Sequence, residues 1–540
     1  MSGRNWLLMM ACMGMCAAAI GSRARESQNS EVAQGYRIAG TVVNAVTGAA
    51  LARVKVTLED TRNRMRVMAT VTGEGGRFEF AGLPAGKYAL QGARSGYIAS
   101  GYEQHERYST AIVTGPEFAT DKLVLRLMPM AMIAGHVLDE SGEPVRSARV
   151  QLFMEDHSAG MNRVVSVNTA TSDDRGYFDF SLLRPGTYFV AASAKPWYAV
   201  HGRPTETGSE GAEQALDVAY PTTFYGGGTE SESASPVEVK GGERQEVEIR
   251  LSPVAALHIL FHVPVNAEGQ QMGFNVPMLR RPMFDSEQVV DATGFGPVSP
   301  GVYEISGVPA GRYEVRFGGE ASQVSEMDLL HDGQDLTGTP GEALGEIKVT
   351  VKLPEDEGLP SVYALGLRDA QQRVVMSQQG DAKGEAEFAG VKAGRYGIVV
   401  FAPGKQYAVV RVVGAAGNEV NVAEGATVEV TAELAVGVAR IEGVAEKNGK
   451  PLAGVMVALV PIDAQANVDL FRRDQTDFDG TFTLPGVVPG AYTVVAVEDA
   501  WGFEWMKPGV LARYVQQGQP VVVGEKKLVR LTEAVKVQAR

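Results

Sequence analysis

Cysteine is nearly absent from this chain of 540 residues: the two present, Cys12 and Cys16, both fall within its first 24 residues. Beyond that point a disulfide-stapled core, thiolate chemistry and cysteine-ligated zinc are all excluded. Histidine is scarce too, with seven residues and no His-x-x-Glu pair, which removes the short-spaced ligand set of a metallocarboxypeptidase. No Gly-x-Ser-x-Gly elbow offers a seryl nucleophile. Past residue 24 no stretch reaches the ~18 to 20 uninterrupted apolar residues of a membrane-spanning helix. Basic residues are outnumbered, 50 Lys and Arg against 64 Asp and Glu, for a net charge of −14. Such a balance argues against a nucleic-acid partner, whose phosphates demand clustered cations. No catalytic residue, metal site or cofactor is assigned, and the chain reads as a non-enzyme.

Residues 1–24 combine Arg4, an apolar run from Trp6 to Ile20, and small residues at Ala17, Ala18, Ala19, Ser22 and Ala24. That is the layout of a signal peptide, too short to span a bilayer. The expected destination is secreted, periplasmic or cell-surface. Residues 25–34 are polar and read as a disordered lead-in.

What the chain has in abundance is one recurring stretch. Leu83-Pro84-Ala85-Gly86-Lys87-Tyr88 returns as Leu183-Arg184-Pro185-Gly186-Thr187-Tyr188, Val308-Pro309-Ala310-Gly311-Arg312-Tyr313, Val391-Lys392-Ala393-Gly394-Arg395-Tyr396 and Val488-Pro489-Gly490-Ala491-Tyr492. Alternating apolar residues precede each copy, as in Phe78-Glu79-Phe80 and Phe178-Asp179-Phe180, and others follow each tyrosine. A period of two marks half-buried antiparallel strands. Each copy is therefore read as a hairpin within a sandwich, with the glycine before the tyrosine in the φ > 0 position of its turn.

Successive tyrosines lie 100, 125, 83 and 96 residues apart, close to the ~100 residues of an immunoglobulin-like sandwich. The fold class that follows is all-β, a tandem array of about five Greek-key/immunoglobulin-like β-sandwich domains. The sandwiches are expected at 35–129, 130–254, 255–354, 355–436 and 437–540. The third lacks the Gly-x-Val opening of the others, and its Asp332-Gly333 pair reads as a tight hairpin. One helix is expected over 508–518, opened by Pro508 and closed by Gly518.

The combined pattern resembles the carboxypeptidase regulatory-like domain. It is carried by Gly-x-Val at Gly40 and Gly135, Gly-x-Pro at Gly142, Asp-x-x-Gly-x-Phe at Asp173 and Asp477, and Pro-Gly-x-Tyr at Pro185. That family has a transthyretin-like or starch-binding-like sandwich, and tandem arrays of it occur in exported proteins of acidobacteria. The resemblance implies export, and binding or scaffolding rather than catalysis.

Two aromatic groups stand out as ligand-stacking candidates. Trp197, Tyr198, Tyr220, Phe224 and Tyr225 share the long excursion of the second repeat, and Trp501, Phe503 and Trp505 share a loop of the fifth. Sugar rings stack on such faces, so polysaccharide is the preferred partner, with another envelope protein as the alternative. The competing reading is that these rings anchor their own loops or fill joints between sandwiches. His258 and His262 fall on an alternating strand, which puts them too far apart to share a metal and suggests surface histidines. Asp173-Asp174 and Asp477-x-Asp479 are too few for calcium and read as turn residues. A spacer or adhesive stalk, and an accessory subunit of an envelope peptidase or TonB-type transporter, are the alternative roles.

Overall fold

A computed structural model describes residues 35–158, 160–201, 216–263, 276–290, 294–318, 322–337, 341–355, 357–415, 417–464, 468–524 and 527–540. The expected signal peptide and lead-in, residues 1–34, lie outside the described residues.

The chain is almost entirely β, arranged as successive two-sheet sandwiches. In the first, strand Tyr36–Asn44 pairs antiparallel with Arg77–Leu83 and parallel with Leu123–Leu127. The facing sheet centres on Lys55–Asp60, flanked by Asn63–Val71 and Gly86–Ala93. The second repeats this order: Ala131–Leu138 lies between Tyr177–Leu183 and the parallel Arg244–Arg250. Separate cores of buried aliphatic and aromatic side chains fill each unit, with Phe78, Phe80 and Tyr88 in the first and Phe178, Phe180 and Tyr188 in the second. The parallel pair explains the Gly-x-Val opening. A Cβ on Gly135 would lie 1.9 Å from the Val247 carbonyl oxygen, and one on Gly40 would lie 2.1 Å from that of Leu123. Only glycine lets the first and last strands approach that closely.

The third unit departs from the pattern in its pairing. Its strand Val254–His262 pairs antiparallel with Val302–Pro309 and with Val218–Ala219, a short strand lent by the second unit's excursion, and its parallel neighbour among the described residues is a single bridge from Leu260 to Asp335. The Asp332-Gly333 turn is not the hairpin expected. It crosses from Gln323–Leu329 to the other sheet, where the Asp332 carboxylate accepts the His258 N–H at 2.7 Å.

One expected boundary moves. Strand Gly345–Lys352 was assigned with the third sandwich, but it pairs with Glu385–Val391 and, in parallel, with Thr427–Gly437. Ile347, Val349 and Val351 are buried with Phe388 and Tyr396 in the fourth core. It is that unit's opening strand, so the fourth sandwich begins before residue 355. In the fifth unit strand Val535–Gln538 pairs with both Ala439–Lys447 and Gly490–Val497, joining its two sheets. The helix expected after Pro508 forms over Pro508–Val515 and buries Leu511 and Tyr514.

The recurring Pro-Gly-x-Tyr stretch is a corner, not a hairpin. Arg77–Leu83 pairs within one sheet and Gly86–Ala93 within the other, so the chain changes sheets at the turn. Every copy is locked by the same bond: the tyrosine hydroxyl donates to the backbone carbonyl four residues upstream. The distances are 3.0 Å for Tyr88 to Pro84, 2.7 Å for Tyr188 to Arg184, 2.6 Å for Tyr313 to Pro309, 3.0 Å for Tyr396 to Lys392 and 2.7 Å for Tyr492 to Val488. Burial pushes all five phenols up, Tyr313 to about 12. The preceding glycine does not supply the left-handed residue in Gly86, Gly186, Gly311 or Gly490; only at Gly490 would a Cβ crowd the tyrosine ring, at 3.2 Å.

The left-handed position is six residues before each tyrosine: Gly82, Gly307, Gly390 and Gly486, with φ of 69, 78, 75 and 66°. In the second copy it is Leu182, with φ of 61° and a side chain 68% exposed. A left-handed non-glycine residue costs ~1 to 2 kcal/mol, while glycine adds ~0.5 to 1 kcal/mol of chain entropy to the unfolded state. Leu182→Gly is therefore expected to stabilise the second sandwich by about 0.5 to 1 kcal/mol, read as slower hydrogen exchange across Tyr177–Leu183; faster exchange would contradict the strain argument.

Candidate functional site

The second unit's excursion is built around Glu140. The Tyr220 hydroxyl donates to its carboxylate at 2.7 Å and the Tyr198 hydroxyl donates to the other oxygen. Burial works against the Glu140 carboxylate, but the two phenols outweigh it and hold its pKa below the usual value. Burial, then Glu140, pushes both phenols up, Tyr220 strongly. Phe224 is buried in a small cluster with Phe153 and Met283, against Phe284 of the third unit, and Tyr225 lies half-buried on the second unit's core. Trp197 differs: it is 85% exposed, with only the edge of Tyr198 beside it at 5.7 Å.

The second and third units enclose a cleft of about 370 Å³, lined among others by Pro196, the residue before Trp197. Its lining runs from Arg146 and Arg149 through Lys195 and Pro196 to Tyr220 and Tyr313. Tyr313 is 1% exposed, its ring in the third core and its hydroxyl in the corner bond, so it offers little surface to the cleft.

Just beyond the cleft lies a cluster that the sequence left on the surface. His258 is 8% exposed, with Nε2 2.7 Å from Asp217 and Nδ1 3.1 Å from Glu304, and His201 meets the other Asp217 oxygen at 2.7 Å. The correction has a simple source: the strand was read correctly, but the excursion that delivers His201 and Asp217 covers its face. Burial disfavours the imidazolium of His258, yet Glu304 and Asp217 outweigh it and raise its pKa. His262 stays at the surface, paired with Asp335 at 2.9 Å.

The second aromatic group lies where the first and last units meet. Trp501 stacks on His105 at 5.0 Å with the planes 4° apart, and Trp505 takes the Arg473 guanidinium over its face at 4.4 Å. Phe503 is buried against Tyr514. Arg473 also reaches Glu106 of the first unit at 2.6 Å. The Asp477-x-Asp479 turn is part of this joint. Lys87, from the first unit's corner, lies 2.6 Å from Asp477 and 3.3 Å from Asp479, while Asp477 accepts the Ala111 N–H at 3.0 Å. Burial pushes Asp477 up, against the pull of Lys87, and pushes neighbouring Asp474 to about 6. Asp173 accepts the backbone N–H groups of Arg175 and Tyr177. Among the described residues no group of three or more His, Asp or Glu side chains is arranged to hold a metal ion.

Lys87, Arg473 and Glu106 went unremarked in the sequence. The position of Lys87 is threonine, arginine, arginine and alanine in the other corners, so nothing local flagged it.

These features define a class: small β-sandwiches in tandem, whose unequal loops form joints and one basic cleft. The family model for the carboxypeptidase regulatory-like domain matches residues 37–111 and 132–252, within the first and second units. No curated protein matches the chain. Among solved structures, the chain is 14% identical to the Bacillus anthracis TIE protein, over 75% of this chain and 69% of that one, with a TM-score of 0.17. The minor pilin GBS52 of Streptococcus agalactiae is 12% identical, over 41% and 97%, with a TM-score of 0.21. The shaft pilin SpaA of Lactobacillus rhamnosus GG is 11% identical, over 41% and 98%, with a TM-score of 0.19. At these scores the alignments carry no argument about function.

Two outcomes follow from the joints. Lys87→Met strands two largely buried carboxylates, so the joint should lose about 2 kcal/mol, seen as roughly thirtyfold faster exchange at the Ala111 and Phe478 amides that bond across it. Unchanged exchange would show the joint is held elsewhere. For His258, a folded pKa above the unfolded ~6.5 means its stabilisation is complete below pH 6.5 and lost as pH rises through the folded value. Melting of the wild type should therefore fall across that window, and His258→Asn should flatten the profile.

Proposed function

We propose that this chain is a non-catalytic, exported binding or scaffold protein of the cell envelope, and that the ligand it holds is a polysaccharide. One observation carries the reading: of the eight aromatic side chains that could stack on a sugar, Trp197 alone keeps most of its surface in solvent, and in the chain it follows Pro196, which lines a cleft. The other seven are half-buried or buried. An indole left in water gains nothing for the fold, whereas an exposed flat face is what a pyranose ring stacks on. The cleft's volume falls in the range of ligand sites and suits one or two sugar rings.

A spacer or stalk is less well supported, because the first unit is bonded to the fifth. Contacts such as Lys87 to Asp477 and Arg473 to Glu106 bring together residues more than 360 positions apart.

Affinity electrophoresis and pull-down of the whole protein against a panel of soluble and insoluble polysaccharides tests the reading. Trp197→Ala should weaken retention about tenfold, the loss of ~1.4 kcal/mol of stacking. Trp501→Ala should leave retention unchanged, since its face is occupied by His105. Retention of no polysaccharide, or full retention by Trp197→Ala, would remove the carbohydrate assignment.

A further inference from the structure

The cleft carries a charge opposite to that of the chain. The net charge is −14, yet Arg146, Arg149, Lys195 and Arg281 all line the cleft, and no Asp or Glu does so among the described residues. Two of these cations are committed within the structure: Arg281, almost fully buried, is held by Glu230 and the Thr229 carbonyl, and Lys195 has a partner. Arg146 and Arg149 are exposed, and neither enters an ion pair among the described residues. Two free guanidinium groups line the cleft, and the exposed Trp197 follows the lining residue Pro196 in the chain.

We infer that the cleft binds an acidic glycan, a polymer of uronic acid units, with Trp197 stacking on a sugar ring and Arg146 and Arg149 receiving ring carboxylates. This rests on the carbohydrate reading above and gives it a substrate class. A guanidinium presents paired N–H donors in a fixed fork that matches a carboxylate bidentately, which an ammonium does not. The chain's overall negative charge repels polyanions in general, so binding must depend on this local patch. The cleft is lined from both units, so a bound oligomer would meet Arg149 of the second and Gln288 of the third.

The test uses the full chain and four probes at low and moderate salt: oligogalacturonate, its fully methyl-esterified counterpart, a neutral glucan oligomer, and poly-glutamate as an anion without sugar. Calorimetry should show oligogalacturonate bound at least tenfold more tightly than its methyl ester. Arg146→Gln with Arg149→Gln should abolish that preference while leaving residual affinity for the ester. Trp197→Ala should weaken both sugars. All three positions are exposed, and an unchanged melting temperature checks that each variant folds. Equal affinity for acid and ester, or preference for the neutral glucan, would overturn the acidic assignment and leave the carbohydrate reading standing. Binding of poly-glutamate as tight as oligogalacturonate would also overturn it, reducing the patch to a general anion site. Binding of none of the four would sink both.

Discussion

The bond from each corner tyrosine to the carbonyl four residues upstream is the constraint on which the rest depends. It fixes the point where the chain leaves one sheet for the other, and it does so in the same geometry in all five units. Because the ring enters the space between the sheets, the hydroxyl must find a partner there or be left unsatisfied at a cost of ~1 to 3 kcal/mol. The carbonyl at the turn is that partner. With the corner fixed, variation is pushed into the connections after it, and those connections are what the units use to meet one another.

The excursion after Tyr188 shows how. It lends strand Val218–Ala219 to the third unit, buries His258 with Asp217, and seats Phe224 against Phe284. The loop after Tyr492 does the same between the last unit and the first two, with Trp501 on His105 and Glu504 accepting the Asn162 N–H. Long polar insertions in a tandem protein need not be linkers. Here they are mortar, and Trp197 is the ring they leave uncovered.

Much of the fold was legible because it is periodic. Alternation gave the strands, the repeated Gly-x-Tyr gave the count, and Pro508 with Gly518 gave the helix. The errors have one origin: alternation shows that a strand has a buried face but not which sheet it joins. That is why the corner was read as a hairpin, why Gly345–Lys352 was placed with the third unit, and why the left-handed residue was put at Gly86 rather than at Gly82. The site was less legible. Its aromatic residues could be named, but whether each meets water or a neighbouring unit depends on contacts between residues hundreds of positions apart. Arg146 and Arg149 gave no signal, since two arginines near a turn are ordinary surface residues until a cleft forms around them.

The account's central claim is that these loops close the array on itself instead of leaving five sandwiches in a line. Small-angle scattering of the mature protein tests this most directly. A closed chain of this length should have a radius of gyration of about 25 to 30 Å, whereas five sandwiches end to end would approach ~50 Å. The lower value is predicted; the higher one, or a pair-distance distribution with the long tail of a rod, would contradict the joint between Lys87 and Asp477 and the closure built on it.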